Sequence, residues 1–377
     1  MRHIAEQLLN SDSEGPCITI ILPLLKEPSH ADENAARLHR ILDDVENKLE
    51  EFGLDGKAKG QYVASARNFA DEQLKSPPAD STLVLYVSSS VFQIYMLPQE
   101  MEESVSIGSH FYLTPLLSDE AEAMHYFVLA MSKKKATLFE VKGRSIMARE
   151  VEGMPSSVED AFKGMEHTDR QVNFHSTGNG TAAFHGDGGE KDQQEIEMTV
   201  YIKAVVNSAH TLLHESKLPL VFAGVTEEYG IFKKFDASGL LLDGFIKGNP
   251  DMTMKEELLE KSRPIVEMKM KEDRKQLAEA FGNAAAGQKG TDSIDEVLKA
   301  AVEARIDTLF LKRGAAEWGI VQENGDSIVH TAKENGDEDL LSVAASWTLR
   351  NGGNVVFFPE DEMPGNTPMA AIFRYSA

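Results

Sequence analysis

At 377 residues the chain is longer than one ordinary hydrophobic core supports, so two or three domains are expected. Its 61 acidic and 38 basic residues give a formal charge of −23, which excludes a protein that grips nucleic acid by general phosphate neutralisation. Any RNA contact must then come from local basic clusters, while the acidic body stays soluble and off wrong surfaces.

The N-terminal stretch MRHIAEQLLNSDSEG has no apolar centre and no small-residue cleavage site, so it does not read as a signal peptide. No later run approaches the ~20 apolar residues of a membrane helix, and a cytoplasmic protein is expected. The single cysteine, Cys17, opens the apolar run Cys17–Leu25; it reads as a buried thiol, and no internal disulfide is possible. Cys17–Leu22 is a short buried strand closed by Pro23. A polar loop follows, then a helix from Glu33 to Phe52 with Asp32 as N-cap and Gly53 beyond its end. Leu38, Ile41, Leu42, Val45, Leu49 and Phe52 mark its buried face, and Arg37 and Arg40 share the opposite face. A second helix covers Gly60–Leu74, stopped before Pro77–Pro78. Thr82–Ser88 and Val91–Leu97 pair as strands around a serine turn, and the first domain closes near Leu117.

Three strand patterns open the next block, Tyr126–Met131, Ala136–Val141 and Ser145–Val151, with Lys133, Lys134 and Lys135 on the first turn between them. A short helix at Val158–Phe162 leads to Asn173–Glu190, in which five of eighteen residues are glycine. Glycine loses the most backbone entropy on ordering, so this reads as a mobile loop, and long loops are commonly functional. Behind it lies a helix over Lys191–Ser216, with Asp192 and Glu195 as a capping-box-like start and an apolar stripe through Ile196, Val200, Ala204, Tyr201 and Val205. It would span about 40 Å. Leu220–Val225 is an apolar strand, Glu227–Lys234 a charged helical turn, and Gly239–Ile246 leads into Gly248–Pro250. Thr253–Lys275 carries seven basic and six acidic residues and reads as two exposed helices meeting at Pro264, the second running towards Phe281. Asn283–Thr291 reads as a flexible connector. The last block alternates a helix Ser293–Ala304, strands Asp307–Lys312, Trp318–Gln322 and Ser327–His330, a helix Asp339–Arg350, and strands Asn354–Phe358 and Met369–Tyr375. That alternation predicts an α/β fold overall and a C-terminal α/β sandwich.

Familiar chemistry is missing. His210 and His214 stand four apart on the long helix, as two metal ligands would, but Thr211 occupies the place of a zincin glutamate; two polar residues on a solvated side is the simpler reading. No phosphate loop, dinucleotide fingerprint or G-x-S-x-G elbow occurs. Neither a cofactor, a metal nor an enzymatic activity is expected, and neither DNA nor a membrane is expected as a partner.

Three separated stretches carry a resemblance. Lys191–Val225, with YIKAVVNSAHTLL and then PLVFAGV, resembles the long middle-domain helix and following strand behind the Gly-Gly-Gln loop of the archaeo-eukaryotic peptide-release-factor and Pelota superfamily, in its bacterial branch. Ser293–Leu311, SIDEVLKAAVEARIDTLFL, is similar to the opening helix and strand of the third domain, and Ala370–Tyr375, AAIFRY, to its closing strand. Cys17–Leu25 and Glu33–Leu49 are similar to the bacterial branch's first strand and helix. The resemblance implies a three-domain architecture, 1–120, 121–262 and 263–377. It also implies a ribosome-associated role in which the first domain faces the small-subunit decoding centre through Lys26, His30, Asn34, Arg37 and Arg40. The middle domain would reach the large-subunit peptidyl-transferase centre through His175, Gly178, Asn179, Gly180, His185, Gly186, Gly188, Gly189, Glu190 and Lys191. The third would dock a translational GTPase such as EF-Tu.

Two departures qualify the likeness. The catalytic Gly-Gly-Gln is replaced by Gly188-Gly189-Glu190, and a carboxylate has only acceptors to offer among RNA phosphates. Gln193 and Gln194 lack adjoining glycines. The stop-codon-reading Asn-Ile-Lys-Ser gives way to Asn34-Ala35-Ala36-Arg37. The expectation is a non-catalytic factor that sits in the ribosomal A site and keeps the ribosome inactive, with a peptidyl-tRNA hydrolase or a Pelota-like rescue factor as alternatives.

Overall fold

The computed structural model describes residues 8–9, 15–25, 31–74, 82–163 and 188–375, with the backbone alone at 31 and 188–192. The chain divides into two units, Met1–Glu122 together with Arg274–Ala377, and Ala123–Asp273.

Strand β1 (Cys17–Pro23) is buried on both faces, which is why it reads as an unbroken apolar run. It sits inside an antiparallel sheet with β2 (Thr82–Val87), β3 (Phe92–Leu97) and β4 (Ser104–Gly108), in the order β3-β2-β1-β4. Ile18, Ile20 and Leu22 face helices α1 (Ala31–Lys48, continued by a 3-10 turn Leu49–Phe52) and α2 (Gly56–Glu72). Cys17 and Ile21 face the other way, into a second core. Neither β4 nor α3 (Thr114–Glu122) is foreseen from the sequence.

The second unit is a five-stranded sheet of β5 (His125–Met131), β6 (Ala136–Lys142), β7 (Ser145–Arg149), β8 (Leu220–Gly224) and β9 (Leu241–Lys247), ordered β7-β6-β5-β8-β9. β5 pairs parallel with β8 and β8 with β9, while β6 and β7 run antiparallel. Both faces are covered, as parallel strands require. Phe127, Leu129 and Phe222 meet Tyr201, Ile202, Val205 and Leu213 on one face. A short helix α4 (Val158–Ala161) precedes the long helix α5 (Gly188–Ser216) that supplies those residues. Helix α6 (Thr226–Phe235) adds Phe232 to the same side. Tyr126, Val128 and Val221 meet Leu258 and Val266 on the opposite face.

Those last two belong to α7, a single 32-residue helix over Lys255–Ala286 in place of the two helices expected to meet at Pro264. Proline removes one helical hydrogen bond, but tertiary packing can hold the helix through it. Here the buried Ser262 hydroxyl donates to the Leu259 carbonyl at 3.0 Å and bonds the Tyr126 hydroxyl at 2.8 Å, and Leu258 and Val266 bury on either side. α7 also takes in residues expected in a connector, up to Ala286.

Beyond α7 come β10 (Gly290–Thr291), α8 (Ile294–Val302), β11 (Ile306–Lys312), β12 (Trp318–Val321), β13 (Ser327–Val329), β14 (Glu338–Asp339), α9 (Leu340–Arg350), β15 (Asn354–Phe358) and β16 (Met369–Phe373). They form a mixed sheet ordered β10-β16-β11-β15 and a small one ordered β13-β12-β14. The first and last blocks of the sequence share one core: Cys17, Ile21, Val84, Tyr86 and Leu113 pack with Val297, Leu309, Leu340, Val343 and Phe357. Polar contacts follow the same seam. The Thr114 hydroxyl donates to buried Asp339 at 2.9 Å, the His110 N–H to Glu338 at 2.6 Å, and the Lys333 ammonium to the Val105 carbonyl at 3.0 Å. Asp339 also caps α9, accepting from the Ser342 N–H, and burial raises its pKa.

Candidate functional site

Two basic groups are candidates from the sequence, and they sit in opposite surroundings. The first is at the start of α1. Asn34 is fully buried, with its side-chain oxygen accepting from the Leu25 N–H at 3.0 Å and its amide donating to the Leu25 carbonyl at 3.2 Å. That two-point bond ties α1 to the strand exit, so the Asn34 side chain faces the core and presents nothing to a partner. Arg37 donates to the Pro23 carbonyl at 2.9 Å and to Glu103 at 2.8 Å, and Arg40 reaches the other oxygen of the same carboxylate at 3.0 Å. One acid, on the loop before β4, thus answers two guanidiniums. Lys26 and His30 lie outside the described residues.

The second group is the turn joining β5 to β6. The Ser132 hydroxyl accepts from the Lys134 and Lys135 N–H groups, both at 3.1 Å, and the Ser132 N–H donates to the Lys135 carbonyl at 2.8 Å. The tight loop leaves Lys133, Lys134 and Lys135 all exposed. Among the described residues none of the three has an ion-pair partner. The Lys133 ammonium donates to the neutral Gln194 amide oxygen at 3.2 Å, which sets the turn beside the first turns of α5.

The turn lies at the carboxyl end of β5, where β8 and β9 end as well, and open α/β sheets bind ligands at that end. A Cβ at Gly224, the last residue of β8, would lie 2.9 Å from the Met131 carbonyl oxygen, so only glycine lets the two strand ends run this close. Glu228 is 6% exposed and caps α6, accepting from the Val225 N–H at 3.4 Å; burial raises its pKa. The Ser132 hydroxyl also donates to Asp251, in the 3-10 turn Pro250–Met252 after β9. Past Asp251, Met252 and Met254 are 92% and 69% exposed.

The glycine-rich segment enters α5 at this end. Gly188, Gly189 and Glu190, expected in the loop, form the first turn of α5 together with Lys191, the expected helix start. No residue there forbids helical backbone angles, and glycine lowers helix propensity without blocking it. His175, Gly178, Asn179, Gly180, His185 and Gly186 lie outside the described residues. His210 and His214 are exposed on α5 with ring centroids 6.0 Å apart. Among the described residues no three possible metal ligands gather, and no helix is long and apolar enough to cross a membrane.

Sequence reasoning missed Glu103, Asp251 and the methionine pair. The acidic run from Glu100 to Glu103 was a visible signal for the first; nothing local marks the others.

Residues 125–305 match the family model of bacterial archaeo-eukaryotic release factor family 3. No protein of curated function matches the chain. Among solved structures, the archaeal translation termination factor aRF1 is 16% identical over 99% of this chain and 98% of its own, with a TM-score of 0.23. Dom34 of S. cerevisiae, a translation termination-like factor, is 12% identical over 99% of this chain and 93% of its own, at 0.40. Archaeal Pelota, in a ribosome-bound model with ABCE1, is 9% identical over 100% of this chain and 95% of its own, at 0.44. These superpositions are loose. Residues 125–305, which hold the lysine turn, the parallel sheet and α5, are thus similar to the bacterial archaeo-eukaryotic release factors of family 3.

Proposed function

We propose that this protein is a non-catalytic ribosome-binding factor that occupies the A site and holds the ribosome inactive. Within the branch, its sequence resembles the hibernation factor Balon. One observation carries the reading: in a chain of net charge −23, three consecutive exposed lysines stand without a carboxylate partner among the described residues, beside the helix that follows the glycine-rich segment. Unneutralised lysines on a rigid turn suit phosphate contact, and phosphate contacts set the pose of a protein on RNA. In the pose we propose, this end approaches the peptidyl-transferase centre. The α1 end approaches the decoding centre, where Arg37 and Arg40 exchange Glu103 for phosphate. The last block docks a translational GTPase such as EF-Tu.

The absence of catalysis is argued from Glu190. It holds the place of the release-factor glutamine, and a carboxylate cannot donate a hydrogen bond to the attacking water or the ester. The test is co-sedimentation with ribosomes from stationary or stressed cells, followed by a peptide-release assay on stalled complexes. Stable association without release is expected. Failure to sediment with ribosomes sinks the proposal. Release that is lost in Glu190→Ala or Gln193→Ala would replace it with a peptidyl-tRNA hydrolase, and association that depends on GTP hydrolysis by a partner would favour a rescue factor.

A further inference from the structure

The lysine turn has an apolar neighbour. Ser132, which organises the turn, is hydrogen-bonded to Asp251, and the chain then runs straight into Met252 and Met254. An apolar side chain left 92% exposed gains nothing from burial in the fold, and here a second, 69% exposed, stands two residues on. Of the acids nearby, Asp251 accepts from Ser132, and Glu228 is buried as the cap of α6, where the Lys133 charge favours its ionised form. The surface therefore presents cations and flexible, polarisable thioethers side by side.

We propose that Lys133–Lys135 and Met252 with Met254 form one surface for unpaired RNA, the lysines meeting phosphates and the methionines covering base faces. The inference rests on the ribosome reading above and narrows it to a class of RNA. In a duplex the base faces are stacked away, and only the lysines would find a partner. In a single strand or an open loop each base offers an apolar face next to its phosphate. Methionine fits such faces without a fixed geometry, so sequence preference is weak while strand preference is strong.

The test uses the full chain with a photoreactive methionine analogue, bound to ribosomes and irradiated. Adducts from positions 252 and 254 on unpaired ribosomal RNA nucleotides are expected. In parallel, Met252→Gln combined with Met254→Gln should weaken ribosome binding roughly five-fold at every salt concentration, because the lost contact is uncharged. Replacing the three lysines by glutamine should instead flatten the salt dependence. Adducts confined to ribosomal proteins or paired nucleotides, or an unchanged affinity in the double variant, overturns the inference while leaving ribosome binding intact. Methionine-dependent binding to anionic vesicles but not to ribosomes would make this a membrane surface and overturn it too. A wild-type chain that ignores ribosomes yet prefers oligouridine to an RNA duplex through its methionines would sink the A-site proposal and keep this one.

Discussion

The start of α1 and the β5–β6 turn each gather basic side chains, yet they differ in what faces them. Arg37 and Arg40 divide a single carboxylate, and Arg37 also donates to a backbone carbonyl. Lys133, Lys134 and Lys135 face solvent and a neutral amide, with no carboxylate in ion-pair contact among the described residues, although buried Glu228 feels the Lys133 charge. A positive residue already answered at home must give up that partner before it can hold a phosphate; one left open has nothing to give up. In the proposed reading, a chain of net charge −23 concentrates its attraction to RNA at the open turn.

The largest effect that would break this comparison is on ribosome binding. Replacing all three lysines by glutamine should lower affinity by about 100-fold at moderate salt and reduce the slope of log affinity against log salt by about two. Arg40→Gln should change affinity by less than about three-fold, since its charge is already shared with Glu103. Titrations at several salt concentrations decide it, and equal losses for both variants would erase the distinction. Next in size is Asn34→Ala, which strips the Leu25 N–H and carbonyl of their partner. It should cost about 2 kcal/mol of stability by urea unfolding while the folded variant still binds ribosomes. Loss of binding at full stability would return Asn34 to the contact surface. Smaller still, Glu103→Gln should cost about 0.5–1 kcal/mol and release two guanidiniums. Non-specific RNA binding should then rise, with a steeper salt dependence; unchanged RNA binding would mean the arginines are not held in check by Glu103.

Much of this was legible locally. Asn354–Phe358 emerges at its expected bounds because four consecutive apolar residues, Val355–Phe358, between turn signals admit little else. The lysine turn emerges because Tyr126–Met131 and Ala136–Val141 are both strongly apolar and the interval is short. What escaped depends on distance along the chain. Arg37 and Glu103 are 66 residues apart, and no periodicity links them. Residues 17–117 and 297–371 share a core that neither stretch announces alone. β4, SVSIG, alternates too weakly to stand out, and Pro264 reads as a break because the fully buried Ser262 and its bond to Tyr126 are tertiary facts. The position of the candidate site was readable; its open charge was not.

His330 gives a third setting for a positive charge, a buried acid facing a titratable base, and it carries the smallest prediction. The Asp337 carboxylate, fully shielded from solvent, lies 2.9 and 3.0 Å from the His330 ring nitrogen and also accepts from the Glu334 N–H at 2.8 Å. The hydrogen bond to Asp337 raises the His330 pKa, with Glu334 adding to the effect and desolvation opposing it. A pKa higher in the folded than in the unfolded chain means that the folded state binds the proton more tightly. The resulting stability is fully present below the ordinary histidine value of about 6.5 and is lost as pH rises through the raised one. The melting temperature of the wild-type chain should thus exceed that of His330→Gln most at low pH, with the gap narrowing above about 6.5. A gap between wild type and His330→Gln that stays constant across this window would mean that His330 contributes shape to the segment and no charge.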